Sequence, residues 1–392
     1  MFSPGAPGGC VRLNVINSKT VNLAFRLLRP LTSILLFLLC VTACPVIFSQ
    51  VLPDSAEKKQ RPLIAGFPIV FYTPETRWGF GATGTCIFNW RNDSLRARPS
   101  SVSIGLAFTQ NRQAFFTAPF HFFIDSARYQ VYGELAYNRY LYNFYGRGNE
   151  MPADYVERYG LEFPRARITA LKRFGKSLYA GGRYAYDRFS LFDLMPYGLL
   201  ANGLVPGAAG GAVSGPGAVV MFDSRDNIFY PLKGEWAELV FFRNMPVLGG
   251  TGDFTRIAFD AAKYITWKTR NTFAVNLYSI FSPGELPFYQ MGMLGGIKKM
   301  RGFYEGRFRD NNVVLFQLEY RRWLGSVFGV AAFASAGQVA RAYDRFHHSY
   351  WRYTYGAGIR VRVDPVRKLN LRIDAAVGNG KILPYFTVGE AF

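Results

Sequence analysis

Polar and apolar residues trade places at every second position along much of this chain, which is the period of a β-strand with two unlike faces. From Arg352 to Asp364 one face is Tyr353, Tyr355, Ala357, Ile359, Val361 and Val363, and the other carries Arg352, Thr354, Arg360, Arg362 and Asp364. The next segment repeats the pattern, with Leu371, Ile373, Ala375 and Val377 opposed to Asn370, Arg372, Asp374 and Ala376. Val314, Phe316, Leu318 and Tyr320 oppose Gln317, Glu319 and Arg321, while Val131, Leu135 and Tyr137 oppose Gln130, Glu134 and Asn138. One face suits lipid and the other suits water.

A soluble β-sandwich would alternate in the same way, so the connections between strands decide. Tight turns (Gly175-Lys176, Thr269-Arg270-Asn271, Val366 to Leu369) take turns with long loops (Leu141 to Tyr159, Leu194 to Gly217, Ser282 to Asn311), and aromatics gather at strand ends. That is the layout of a transmembrane antiparallel β-barrel, with short periplasmic turns, long outer loops and aromatic girdles. Sixteen strands give about 21 residues per strand and connection, ample for spans of about 10 residues. The expected fold class is therefore all-β, a sixteen-stranded barrel over residues 63–392. Pro196, Pro206 and Pro216 exclude a helix from the uncharged run Leu194 to Phe222, which reads as a loop feeding a strand.

Composition agrees with this picture. Of 392 residues 36 are Phe, 24 Tyr and 40 Gly, while a mean hydropathy of +0.03 is too low for a helical membrane protein. The formal net charge of +20 would suggest nucleic acid if the arginines clustered. They are instead spread singly through alternating strands, so nucleic acid is not an expected partner, and an anionic lipid leaflet or an electropositive lumen accounts for them better.

At the N-terminus Arg26 and Arg29 precede the apolar run Leu31 to Val41, which has the length of a signal-peptide core and is too short to span a bilayer. Residues 1–49 are expected to be a signal peptide, with an overextended start, and residues 50–62 a short periplasmic lead. Val41-Thr42-Ala43-Cys44 resembles a lipoprotein box and is the alternative, with Pro45 against it. Cys10, Cys40 and Cys44 all fall in this segment, so the fourth cysteine, Cys86, reads as a small apolar wall residue and no disulfide framework is expected.

Two motifs stand out from the alternation. Leu294 to Gly306 carries Gly295, Gly296, Gly302 and Gly306 around a single arginine, Arg301, flanked by Met300 and Phe303. Glycines let the backbone fold back on itself, so the segment presents one cationic tip on a compact loop. Asp223-Ser224-Arg225-Asp226, followed by Pro231 and Gly234, reads as a strand, turn and strand in mid-chain.

Together these motifs resemble the BamA/TamA-type superfamily of outer-membrane proteins, the bacterial surface antigen family. The first resembles the family's lid loop ending in V-R-G-F/Y, here Met300-Arg301-Gly302-Phe303. The second resembles its D-x-R-D…P-x-x-G motif, formed by Asp223, Arg225, Asp226, Pro231 and Gly234, with a structural role at a periplasmic turn. The ending Phe386-Thr387-Val388-Gly389-Glu390-Ala391-Phe392 fits the family's terminal strand, whose last aromatic is the usual assembly signal. The resemblance implies a lid loop folded into the lumen, with Arg301 meeting Glu319. The second acid normally lies in F-x-D-x-G-x-V, and here Phe333-Ala334-Ser335-Ala336-Gly337-Gln338-Val339 puts Ser335 in its place, so the lock is expected to be looser or to rest on Glu319 alone. Between Gln50 and Pro62 there is no room for the family's POTRA repeats, so a bare barrel is expected, served by a separate delivery protein or retaining the fold without the task.

The implied function is assistance to insertion or translocation of proteins at the outer membrane of a Gram-negative cell, through a weak seam between the first and last strands. Glu390, read as interrupting the lipid-facing row Phe386, Val388 and Phe392 beside Gly389, is the expected cause of that weakness. The alternative is a passive pore or structural partner barrel. Outer-membrane lipid and lipopolysaccharide, and other outer-membrane or periplasmic proteins, are the expected partners. The lumenal arginines Arg165, Arg167, Arg183, Arg360, Arg362 and Arg372 are expected to pair with Glu134, Glu238, Asp260 and Asp374. His121, His347 and His348 form no recognisable catalytic or metal-binding spacing, so no enzyme, cofactor or metal is expected.

Overall fold

A computed structural model describes residues 62–90, 99–152, 154–228, 230–364 and 369–392. The expected signal peptide, most of the short lead, the alternative Cys44 anchor and part of the turn Val366 to Leu369 lie outside the described residues. So does Phe229.

Eighteen strands follow in chain order, and sixteen of them close into an antiparallel barrel. The first half of the wall is β1 (Leu63–Thr73), β2 (Arg77–Phe88), β3 (Ser100–Thr109), β4 (Ala114–Ile124), β5 (Tyr129–Phe144), β6 (Glu157–Phe174), β7 (Leu178–Phe192) and β8 (Gly211–Asp223). The second half is β9 (Gly234–Asn244), β10 (Phe254–Trp267), β11 (Asn271–Phe281), β14 (Asn312–Trp323), β15 (Phe328–Ala340), β16 (Arg352–Asp364), β17 (Leu369–Gly378) and β18 (Lys381–Val388). β12 (Gly292–Leu294) and β13 (Phe308–Asp310) leave the wall and pair with each other, so β11 pairs directly with β14.

The alternation sorts as lipid and water require. Tyr353 and Ile373 are 67% and 43% exposed on the outside, whereas Arg360 and Arg372 are each 1% exposed within. Leu135 and Tyr137 face out while Gln130 and Asn138 are buried. Every strand of the wall has a neighbour on both sides, as a sheet that crosses hydrocarbon requires. Among the described residues no helix is long and apolar enough to cross a membrane, which says nothing of crossing by strands.

Two boundaries differ from the sequence reading. Residues 211–217 belong to the wall and not to a loop, with Phe189 opposite Gly211 and Tyr184 opposite Pro216. Their glycines allow close approach between strands, since a Cβ on Gly215 would collide with the Arg243 carbonyl. The loop after β5 is likewise shorter than expected, because β5 runs on to Phe144 and β6 starts at Glu157.

The wall is uneven. β5, β6 and β7 have 16, 18 and 15 residues, while β1 has 11 and β18 only 8. Where β1 meets β18 the register consists of one pair, Tyr72 opposite Phe386. On its other side β1 pairs with β2 continuously from Leu63↔Ile87 to Thr73↔Arg77. Each seam strand contains a proline, Pro68 and Pro384, which cannot donate to a ladder. Aromatic rings span the gap instead, with Trp78 centred 5.3 Å from Tyr72 and 6.4 Å from Phe386.

Candidate functional site

The connection between β11 and β14 enters the barrel from the end that carries the long loops. Its first part is anchored by Phe288, fully buried between Phe144 and Tyr159 with ring centres at 5.7 and 5.4 Å. The β12–β13 hairpin then sets out an inner loop, residues 295–307, whose turns are held by its own backbone. Gly295 N–H donates to Lys299 O at 2.7 Å, and Gly296 N–H donates to Phe303 O at 2.9 Å. Gly295, Gly296, Gly302 and even Met300 have φ of +110°, +89°, +110° and +72°. Gly295 is the position with no alternative, because a Cβ there would run into the Tyr304 carbonyl as well as a left-handed backbone. Gly295→Ala is expected to destabilise the loop by about 2 kcal/mol, seen as faster proteolysis within residues 295–307 while the barrel itself stays folded.

This geometry delivers Arg301 to the lumen, 1% exposed. Its Nη2 donates to Glu319 on β14, and its Nη1 donates to Asp374 on β17. The guanidinium lies 3.5 Å from the centre of the Phe333 ring on β15, a planar cation clamped by two carboxylates and stacked on a π face. Glu319 also accepts from Arg321 Nε at 2.8 Å and from Arg360 Nη2 at 3.1 Å. Asp374 accepts from Arg360 Nη1 at 2.6 Å, with Arg372 Nε at 3.5 Å.

Asp374, and not Ser335, is therefore the second acid. Opposite Glu319 stands Phe333, one inward position away from Ser335, and Ser335 pairs in register with Gln317. The Ser335 hydroxyl donates to Gln317 Oε1 at 3.4 Å. Room for the Asp374 carboxylate and Arg360 Nη1 comes from Gly358 on β16, where a Cβ would collide with Asp374 Oδ1. Ser335→Asp would then place a buried carboxylate against the Gln317 carbonyl oxygen instead of completing a lock. It is expected to lower stability by about 2 kcal/mol at neutral pH, with the loss relieved in acid as the carboxyl takes up a proton; thermal melting at two pH values checks both signs.

Further bonds tie the inner loop around the wall. Lys299 Nζ donates to Asp260 at 2.7 Å, Met300 N–H to Gln317 Oε1 at 3.1 Å, Gly302 N–H to Tyr385 Oη at 3.0 Å, and Arg372 Nη2 to the Ile297 carbonyl at 3.1 Å. Burial holds Lys299 and its neighbour Lys298 below the usual lysine range, opposed for Lys299 by the bond to Asp260. Phe303 packs edge-on against Phe308 at 5.2 Å, with Met300 and Leu294 in the same buried cluster. Asp374, Tyr385 and Gln317 as holders of the loop were not assigned from the sequence. For Asp374 the signal was present, since alternation places it inward among Arg360 and Arg372.

Three of the other lumenal arginines find acids. Arg165 bonds Asp187 at 2.7 Å and Glu134 at 3.2 Å, Arg167 bonds Asp187, and Arg183 bonds Glu238 at 2.9 Å. Asp260 goes to Lys299 and not to an arginine. Arg362 stacks on Trp323 at 3.9 Å.

Glu390 does not face lipid. β18 stops at Val388, Gly389 turns with φ +82°, and the Glu390 side chain is 2% exposed, bonded to Arg360 Nε at 2.9 Å. Phe392 leaves the outward row with it and packs near Ala262, Tyr264 and Ala274 on β10 and β11. Phe386 remains on the strand at the seam. The charge surplus explains the inward turn, because Arg301, Arg321, Arg360 and Arg372 otherwise share only Glu319 and Asp374.

At the end with the short turns, Asp223 accepts from the Arg225 backbone N–H at 3.1 Å and from its Nε at 3.0 Å. Asp226 Oδ1 accepts the N–H groups of Leu232 and Lys233 at 2.8 and 3.1 Å, which fastens the loop that contains Pro231. Gly234, at φ +97°, passes where a Cβ would meet the Ser224 carbonyl. These residues shape a turn. Among the described residues no group of acids, histidines and cysteines has metal-binding geometry. His121 stacks on Phe123, and His347 on His348.

Comparison with known proteins follows the same lines. Residues 217–377, which span the turn motif, the inner loop and its acid partners Glu319 and Asp374, match the Omp85 superfamily domain. No curated protein sequence matches the chain. Among solved structures, BamA from Haemophilus ducreyi lacking POTRA domains 1–3 superposes with a TM-score of 0.58 at 13% identity, over 84% of this chain and 70% of that one. CdiB from Acinetobacter baumannii gives 0.56 at 12%, over 83% and 59%, and CdiB from Escherichia coli 0.57 at 14%, over 86% and 63%. This chain thus spans between 59% and 70% of the length of those proteins. At such identities the likeness carries the barrel fold alone, and it is residues 217–377 that are similar to the Omp85 superfamily domain.

Proposed function

We propose that this chain is an integral outer-membrane barrel that assists the insertion or translocation of other proteins, with the β1–β18 seam as the working edge and the inner loop as its lid. The single observation behind this reading is the seam itself. One registered pair joins β1 to β18, while β1 pairs over its full length with β2. In a barrel that only had to persist in lipid, an incomplete ladder would be a cost without a return. Short strands on both sides thin the wall there, and hydrophobic mismatch would thin the adjoining bilayer as well. Parted edges would offer a template to an incoming strand by β-augmentation.

Lipid and lipopolysaccharide would surround the outward belt, and client and delivery proteins would be the transient partners. The site performs no bond-breaking chemistry in this reading. A passive pore is disfavoured by the buried lumenal charges around Arg301 and by the Phe144, Tyr159, Leu286 and Phe288 cluster beneath the long loops. Joining the seam covalently tests the proposal: an inserter stops, and a pore or structural barrel does not.

A further inference from the structure

Between the inner loop, β5 and the seam lies a chamber of ≈ 720 Å³. Tyr72 and Pro384, one from each seam strand, line it. So do two carboxyl groups, Glu75 from the β1–β2 turn and Glu305 from the inner loop. The Glu305 backbone N–H donates to Glu75 Oε1 at 2.8 Å, which ties the inner loop to the β1–β2 turn. In a chain with so large a surplus of cations, neither forms an ion pair among the described residues. Every other lumenal acid is paired with a basic group or, like Glu157, held by backbone N–H groups at 2.9 and 3.0 Å.

We propose that Glu75 and Glu305 form a proton-dependent clasp that holds the inner loop against the β1–β2 turn beside the seam and releases it as pH rises. Arg77 of β2 and Arg158 of β6 line the chamber and are exposed to solvent. Arg309 lies near enough to act on Glu305 but forms no ion pair with it, its Nη1 and Nε donating to Tyr159 Oη at 3.3 Å and the Gly306 carbonyl at 3.4 Å. The remaining neighbours of this kind are phenols, Tyr72, Tyr140, Tyr142, Tyr145, Tyr304 and Tyr385, none of which carries a positive charge. Among the described residues no base forms an ion pair with either acid, so protonation is what neutralises them.

Burial, and next the Glu75 charge, push the Glu305 carboxyl up to about 7, with Arg309 opposing. Burial also raises Glu75, against the N–H bond from Glu305 and its own turn. A raised acid means that the closed loop binds more protons than the open one. Closure is therefore favoured below about pH 7 and weakened above it. With an ordinary carboxyl in the open state, the closed-to-open ratio falls by about tenfold between pH 6 and pH 8.

Spin labels on Gln110→Cys and Arg307→Cys, with all native cysteines replaced by serine, report the distance from loop to wall in the purified barrel by pulsed electron resonance. One short distance is expected at pH 6, joined at pH 8 by a longer population. Glu305→Gln mimics the protonated form and should keep the short distance at both pH values. An unchanged distribution in the parent, or a shift that persists in Glu305→Gln, overturns the clasp. The measurement needs no client, so its failure would leave the proposed insertion function standing, and failure of that function would leave the clasp.

Discussion

Arg301→Ala is expected to free the inner loop while leaving the sixteen-stranded wall closed. Removing the guanidinium takes one partner from each of two fully buried carboxylates, Glu319 and Asp374. Breaking a buried pair in this way typically costs 3 to 5 kcal/mol, because a desolvated charge is left behind. Here the cost is lower, since Glu319 keeps Arg321 and Arg360, and Asp374 keeps Arg360 and Arg372. Loss of the stack on Phe333 adds to it. We expect a net loss of about 2 to 3 kcal/mol in the loop-closed state. Semi-native gels should show the folded band lost at lower temperature, and protease should cut within residues 295–307. Arg301→Lys retains charge but not the fork that spans two carboxylates, so it should fall between the parent and alanine. A variant with unchanged protease resistance would mean that Gly302–Tyr385, Met300–Gln317 and Lys299–Asp260 hold the loop unaided.

The alternation of Tyr353, Tyr355 and Ile359 with Thr354 and Arg360 makes the faces of β16 legible in the sequence, because lipid and lumen impose opposite solvents on consecutive residues. Arg301 and Glu319 were legible for a different reason, the spacing of glycines around one arginine and its resemblance to a known loop. Ser335 failed because a motif records positions along one strand, whereas the arginine's neighbours are fixed by register across four. Glu319 is level with Phe333 on β15 and Gly356 on β16, and the nearest carboxylate beyond is Asp374 on β17. Glu390 failed because the period of two was carried past the end of its strand. One glycine in a left-handed conformation reversed the face, and an unsatisfied arginine cluster lay within reach. The seam was expected to be weak and its register is incomplete, but the prolines Pro68 and Pro384 give a physical reason for this that Glu390 does not.

Cross-linking the seam separates the two functional readings with the largest expected effect. Tyr72 and Phe386 are directly opposed, and opposed residues of an antiparallel pair place their Cβ atoms about 4.5 to 5.5 Å apart, close enough for a disulfide after a small adjustment. Tyr72→Cys with Phe386→Cys, in a Cys86→Ser background, should therefore oxidise to a closed ring of strands. The matching control is Ile64→Cys, which stands opposite the native Cys86 in the intact β1–β2 ladder and ties two strands that never need to part. If clients enter through the seam, assembly of other outer-membrane proteins in cells, or of a denatured barrel added to proteoliposomes, should drop at least tenfold in the oxidised seam variant. Reductant should restore it, and the control should be unaffected in either state. Loss of the Tyr72 and Phe386 rings also weakens aromatic contacts worth about 0.5 to 1.5 kcal/mol each, so the reduced double variant is the proper baseline. A barrel that serves as a pore or structural partner uses only its lumen and outer surface, and would behave identically when oxidised and reduced. Full assembly activity with the seam locked would therefore overturn the insertion reading.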